Sequence, residues 1–220
     1  MKPRINYFIQ QGVTTLEIKS GYGLSFYDEV KLLQVINHMN DLYPIDIVPT
    51  FLGAHIFPKE YKNDHDKYMS ILTDELIPHI KKHDLAKFCD AFCEETAFTA
   101  DNVDKLFKSA KKHGLKLKLH TEQFNRIGGL ETGLKHKATS VDHLEVMKID
   151  QYEMLKNSET AAVLLPGVSL FFDYDYAPAR ALIDNNTIVA LATDYNPGSS
   201  NIAELNLIMS LASIKMKMTI

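Results

Sequence analysis

Short β-branched runs alternate with longer helical patterns along the whole of this sequence, and nothing else about it restricts the fold as strongly. Strands are predicted over residues 14–19, 46–51, 87–93, 115–120, 140–144, 160–165 and 187–193. Between the first two, residues 28–42 carry Leu32, Ile36 and Met39 on one helical stripe. Between the third and fourth, Val103, Leu106, Phe107 and Ala110 recur at helical spacing, with Thr99 placed to cap the front and Gly114 to end the helix. Residues 177–183 and 203–215 read as further helices. Strand–helix alternation of this kind produces a parallel sheet covered by helices. An open doubly wound sheet and a closed eight-stranded barrel both satisfy it. The barrel is favoured because Tyr22, His55, Glu94, His120, His143 and Asp194 each follow or finish a strand. An open sheet would gather such residues near one switch point.

The expected fold class is therefore α/β, a (β/α)8 TIM-barrel. Two counts qualify it. Seven strands are predicted where a barrel closes with eight, and the chain has 220 residues where about 250 are typical. The first eleven residues read as the end of a helix stopped by Gly12, with no strand before it. The expectation is a barrel lacking its first strand, with residues 1–220 forming one partial domain.

Three of these strands bring chemistry to their C-terminal ends, where parallel-sheet proteins assemble their sites. Residues 115–120 (LKLKLH) finish on His120, residues 140–144 (SVDHL) carry His143, and residues 187–194 (TIVALATD) finish on Asp194. Two imidazoles and a carboxylate delivered from three separate strands point to a metal-assisted hydrolase. The bland alternatives are a turn tyrosine for Tyr22, a structural histidine for His55, and an ordinary turn for Asn196-Pro197-Gly198.

Composition excludes several other classes. The net charge of −4 gives no basic face for nucleic acid. No stretch approaches the ~18 apolar residues of a membrane span, and the N-terminal run lacks a signal-peptide core. Cys89 and Cys93, four residues apart, match neither a zinc ribbon nor a C-x-x-C redox pair. They read as buried thiols, which makes the cytoplasm the default location. Gly128-Gly129 lacks the spacing of a phosphate cradle. Lys111, Lys112, Lys116 and Lys118 are read as solvated faces, and Glu94 and Glu95 as solvated or helix-starting. His38, His65, His79, His83, His113 and His136 are read as surface residues.

The segments SGYG (20–23), FLGAH (51–55), HTEQF (120–124), VDHL (141–144), LLPG (164–167) and ATDYNPGSS (192–200) occur in an order that closely resembles the imidazolonepropionase family of the amidohydrolase superfamily. The likeness runs from about Gly12 to the C-terminus. It implies a barrel of the metal-dependent hydrolase type and a role in histidine degradation. The implied reaction is hydrolysis of the ring amide C–N bond of 4-imidazolone-5-propanoate to N-formimidoyl-L-glutamate, with one zinc or iron ion. In that resemblance His120 and Asp194 are metal ligands. His143 works on the water or carbonyl beside the metal, and Gln123 stands where members carry glutamate or glutamine. Tyr22, His55, Asn196, Gly198 and Ser199 match positions that hold the substrate. A homodimer is also implied.

The sequence departs from that pattern in two respects that matter. The family's first strand supplies a His-x-His pair of ligands, and no such pair occurs here; the substrate-binding arginine after that strand and the small β-sandwich are missing too. The resemblance then places these residues on strands 2–8 of the barrel. The isolated chain is expected to bind metal weakly and to be inactive alone. Two other readings remain open from sequence: a related cyclic amidohydrolase or deaminase, and a non-catalytic barrel protein that has lost its metal site.

Overall fold

A computed structural model describes residues 1–219. It divides into two compact units, Met1–Leu119 and the remainder from His120, so the division falls inside a strand. The first unit opens with helix α1 (Lys2–Gln10) and strand β1 (Thr15–Lys19), followed by α2 (Phe26–Leu42), β2 (Asp46–Ala54) and a short 3-10 turn at Lys59–Tyr61. One continuous helical stretch comes next: α3 (His65–Ser70), a π-helical segment at Ile71–Leu76, and α4 (Ile77–Lys82). The unit then runs through β3 (Phe88–Cys93) and α5 (Ala100–Lys112) into β4 (Lys116–Thr121). The second unit continues with α6 (Gly129–Lys135), β5 (Ser140–His143), α7 (Ile149–Leu155) and β6 (Ala161–Leu164). It ends with α8 (Pro166–Phe172), α9 (Ala179–Asp184), β7 (Val189–Leu191) and α10 (Leu205–Met216).

All seven predicted strands form. In the first unit β1 pairs parallel with β2, from Thr15 opposite Asp46 to Lys19 opposite Thr50. β2 pairs parallel with β3, with an irregularity between Phe51 and Ala54. In the second unit β5–β6 and β6–β7 are parallel ladders as well. Every one joins strands consecutive in the chain, so a helix must carry the chain back each time.

The helices start and stop for local reasons. Ser25 caps α2 by accepting from Asp28 N at 3.2 Å, and Asp64 caps α3 by accepting from Lys67 N at 3.1 Å. Thr99 and Asn102 form a reciprocal capping box at α5. Gly12 and Gly114 end α1 and α5 in the left-handed region that side chains avoid. The predicted stripe Val103, Leu106, Phe107 and Ala110 is wholly buried. On α2 the buried face is Val30, Leu33, Ile36 and Met39, so Leu33 takes the core position expected of Leu32.

The backbone of the π-helical segment is tied to α5. Ser109 of α5 donates its hydroxyl to Thr73 O at 2.8 Å, and Thr73 itself donates to Met69 O at 3.0 Å. Just ahead of it, the hydroxyl of fully buried Tyr68 donates to Gly53 O at 3.0 Å.

Several sequence expectations need correction. β7 stops at Leu191 because its ladder with β6 ends at Leu164, so Asp194 lies beyond the strand. Glu94 is buried rather than solvated, because a tight turn folds over it: Glu94 N donates to Phe98 O and Phe98 N to Phe92 O, both at 3.2 Å. His136 is buried at the end of α6, and His79 and His113 are half-buried. Among these, His113 Nδ1 lies 2.9 Å from Ser109 O, a backbone partner one turn back.

Lys118 is the most informative correction. It points not to solvent but into a charged group on one face of the first unit's strands. Lys118 Nζ lies 2.8 Å from Glu17 Oε2, and 4.9 Å from the centre of the Phe88 ring. Lys19 Nζ bridges Glu17 Oε1 at 3.1 Å and the fully buried Asp90 Oδ2 at 2.8 Å. Thr50 also donates its hydroxyl to Glu17. Burial pushes the Glu17 carboxyl up, but Lys19 and Lys118 beside it outweigh that and hold it below the usual glutamate range. A depressed carboxyl stabilises the fold above its unfolded pKa, and that stability is lost as pH falls through the folded value. Glu17→Gln is therefore expected to cost about 1–3 kcal/mol at neutral pH. The difference from wild type should close as pH drops below about 4.3. Urea unfolding of both proteins across that range checks it; a gap that stays constant down to acid pH would remove the ion pairs as its source.

Candidate functional site

In the first unit the loop after β1, residues 20–23 (SGYG), is built around a buried carboxylate. Glu29, fully buried on α2, accepts Gly21 N at 3.0 Å through Oε2, and Gly23 N at 2.8 Å and Leu24 N at 3.0 Å through Oε1. The loop closes so tightly that only glycine fits at two positions. A Cβ on Gly21, at φ +111°, would sit 2.7 Å from Leu52 O, and one on Gly23 would sit 2.7 Å from Glu29 N. Tyr22 between them is 55% exposed, and its ring meets that of His55 edge-on at 5.1 Å. His55 Nδ1 lies 2.9 Å from Gly21 O. A carbonyl can only accept, so Nδ1 carries the proton and Nε2 is left for a ligand. The first unit thus brings Tyr22 and His55 together at the ends of β1 and β2.

The second unit gathers His120 and His143. His120 lies one residue before the end of β4 and His143 is the last residue of β5; both are buried, with ring centroids 5.5 Å apart. Asp142, next to His143 and also buried, places Oδ2 4.0 Å from His120 Nε2 while its Oδ1 accepts the Ser140 hydroxyl at 2.6 Å. His143 and Leu144 both have positive φ, 86° and 70°, where two successive non-glycine residues are rare. The turn is held by Leu144 N donating to Thr121 O at 3.3 Å and Val146 N to Glu122 O at 3.0 Å. Gln123 is buried, and its Nε2 donates to the Tyr174 hydroxyl at 3.1 Å. The neighbouring Glu122 accepts from Gln151 Nε2 at 2.6 Å.

Asp194 sits in a separate, self-contained loop after β7. Asn196 Nδ2 reaches Asp194 Oδ2 at 3.0 Å and Ser199 Oγ at 2.8 Å, while Asn196 Oδ1 accepts Gly198 N and Ser199 N, both at 2.8 Å. Ser199 Oγ lies 3.4 Å from Asp194 Oδ2. Asp194, Asn196, Gly198 and Ser199 therefore share one hydrogen-bonded loop. Among the described residues, every hydrogen bond of the Asp194 carboxylate stays within it.

The sequence reading missed Asp142, Glu145, Glu29 and Tyr174. Asp142 carried a signal in its place beside His143 in VDHL. Glu29 carried only that of an acidic residue early in a helix, which ordinarily reads as favourable to the helix dipole.

No protein-family model matches the chain. Its sequence is 48% identical over 216 residues to the imidazolonepropionase of Christiangramia forsetii, covering 98% of this chain and 53% of that protein. It is 47% identical over 215 residues to the imidazolonepropionase of Thermoanaerobacter pseudethanolicus, covering 98% and 52%. By sequence, it is a relative of the imidazolonepropionases. The chain spans about half the length of the imidazolonepropionases it matches. Among solved structures it resembles a guanine deaminase from C. acetobutylicum with bound guanine, with a TM-score of 0.72 and 15% identity over 95% of this chain and 52% of that one. An adenosine deaminase from Xanthomonas campestris with bound zinc gives a TM-score of 0.62 and 16% identity over 84% and 45%. At that identity the likeness is one of fold, an α/β barrel.

The imidazolonepropionase likeness includes the SGYG loop, so the integrity of that loop is the first thing to test. Glu29→Ala removes the acceptor of three backbone N–H groups and leaves that of Gly21 buried. A loss of at least about 2 kcal/mol is expected, within the range for hydrogen bonds to a charged group. Thermal unfolding of the variant beside wild type measures it, and a loss below about 0.5 kcal/mol, the size of an ordinary surface change, would show that the loop does not depend on Glu29.

Proposed function

We propose that this chain supplies the strand-end groups of an imidazolonepropionase, which opens the ring of 4-imidazolone-5-propanoate to give N-formimidoyl-L-glutamate. The observation that carries the reading is the 43–48% identity to curated imidazolonepropionases over nearly all of this chain. Residues 1–220 are taken as part of one barrel domain of a cytoplasmic, homodimeric enzyme of histidine degradation.

The donor set suits a zinc or iron ion. His120 Nε2 and Asp142 Oδ2 are buried and 4.0 Å apart, a separation that one ion with ligands at about 2.0–2.2 Å can satisfy. In the proposed site His120 and Asp194, the two ligands the family resemblance implies, hold the ion, with the buried Asp142 carboxylate as a further oxygen donor beside His120. When bound, such an ion lowers the pKa of a coordinated water from 15.7 towards about 7 and polarises a carbonyl.

The chain's own residues do the rest in this reading. Asp194 accepts a proton from the attacking water and passes it to the ring nitrogen as the carbonyl C–N bond breaks. His143 polarises the ring carbonyl or orients the water. Gln123, neutral and unable to act as a base, holds the ring by hydrogen bonds. Tyr22, His55, Asn196, Gly198 and Ser199 position the substrate.

The test is a chimera in which this chain replaces the matching stretch of the Christiangramia forsetii imidazolonepropionase, assayed beside the chain alone. The folded, metal-containing chimera is expected to hydrolyse imidazolonepropanoate. Asp194→Asn should lower kcat on the order of 10²–10⁴-fold, the contribution of a general base, because an amide is a poor ligand and cannot take the proton. No turnover by a folded, metal-containing chimera would overturn the reading, and a loss below about tenfold would take Asp194 out of the proton path.

A further inference from the structure

The strained turn that ends β5 does more than expose His143. Two residues later Glu145 is buried with it, its side chain 2% exposed and that of His143 3%. His143 Nδ1 lies 3.4 Å from both carboxylate oxygens. Oε2 of Glu145 makes no hydrogen bond among the described residues, so the imidazole is the group this carboxylate faces. Left-handed conformations at His143 and Leu144 bring the two side chains to this position, and the bonds to Thr121 O and Glu122 O hold the strained backbone in place.

Two acceptors that close in a buried setting repel, and a buried carboxylate without a donor is costly. The arrangement is stable only if Nδ1 carries a hydrogen and gives it to Glu145. We propose that Glu145 is the positioning residue of His143: it accepts the Nδ1 hydrogen, locks the ring, and leaves Nε2 as the nitrogen that exchanges protons or hydrogen bonds with substrate. The logic is that of a carboxylate fixing the tautomer of a working histidine, in which the carboxylate itself takes no proton. The tautomer follows from the geometry alone; the consequence for turnover rests on the role of His143 proposed above.

The test separates the two. Nitrogen-15 NMR of the labelled chain at about pH 8.5, where an imidazole is largely neutral, reads the protonated nitrogen of His143 directly, with His143→Gln identifying its signals. Wild type is expected to show Nδ1–H. Glu145→Leu is expected to move the ring to the Nε2–H form that an imidazole prefers when nothing holds it. Glu145→Gln, whose side-chain oxygen can still accept, should retain Nδ1–H at least in part. A wild-type ring protonated on Nε2, or an unchanged Nδ1–H pattern in Glu145→Leu, overturns the proposal. The wild-type spectrum decides even if the leucine variant does not fold. In the chimera, Glu145→Leu should lower kcat on the order of 10–100-fold with KM little changed, and an unchanged kcat would also overturn the positioning role. A chimera without turnover before any substitution would instead remove the function reading, with the tautomer still decided by NMR.

Discussion

Parallel pairing between strands consecutive in the chain governs everything else in both units. Such a ladder allows no tight hairpin, so each strand must be followed by a return path outside the ladder, and here a helix takes that path. One consequence is directional. The C-terminal ends of paired strands share an edge, and the loops leaving that edge are the segments free to carry polar groups. Tyr22, His55, His143 and Asp194 all lie at or just past such ends, and His120 lies one residue before one. The apolar helix faces hold the ladder, and the loops contribute chemistry without carrying the core.

Those loops are organised by buried acids more than by surface charges. Glu29 gathers three backbone N–H groups of the SGYG loop, and Asp142 sits between Ser140 and His120. Glu122 is bonded by Gln151. A buried carboxylate is tolerable only where donors surround it, and then it fixes those donors with more directional force than an apolar contact could. The Glu17–Lys19–Asp90–Lys118 group applies the same rule to charge pairs: each cation has a carboxylate within 3.1 Å, so removing one member leaves another exposed to an apolar surrounding.

Much of this is legible in the amino-acid sequence. All seven strands appear where the strand-like runs predict them, because alternation of short strand runs with longer helical patterns is a local signal. The α5 stripe and its Thr99 cap were readable for the same kind of reason: both are local, and local rules act on adjacent residues. What failed was judgement about which face meets water. Alternation along LKLKLH separates Leu117 and Leu119 from Lys116 and Lys118, but it carries no information on what lies opposite each face. Lys118 has Glu17 there. Glu94 and His136 failed similarly, since a polar residue beside a turn looks exposed until the turn folds over it. Within the candidate site, Glu145 was invisible because its meaning comes from the backbone conformation of His143 and Leu144, and both of those residues have side chains that ordinarily avoid it.

The π-helical segment between α3 and α4 has a bearing on how this chain tolerates changes of length. A π-turn closes its hydrogen bond one residue further along the chain than the α-helix on either side. Tyr68, tied to Gly53 O ahead of it, and Ile77 and Ile80, buried behind it, are separate anchors whose spacing is set by packing rather than by residue count. The segment at Ile71–Leu76 absorbs the difference, with Ser109 bonded to its Thr73 carbonyl. An insertion or deletion of one residue is therefore best accommodated there, where the helix can change its winding and leave both anchors where they are.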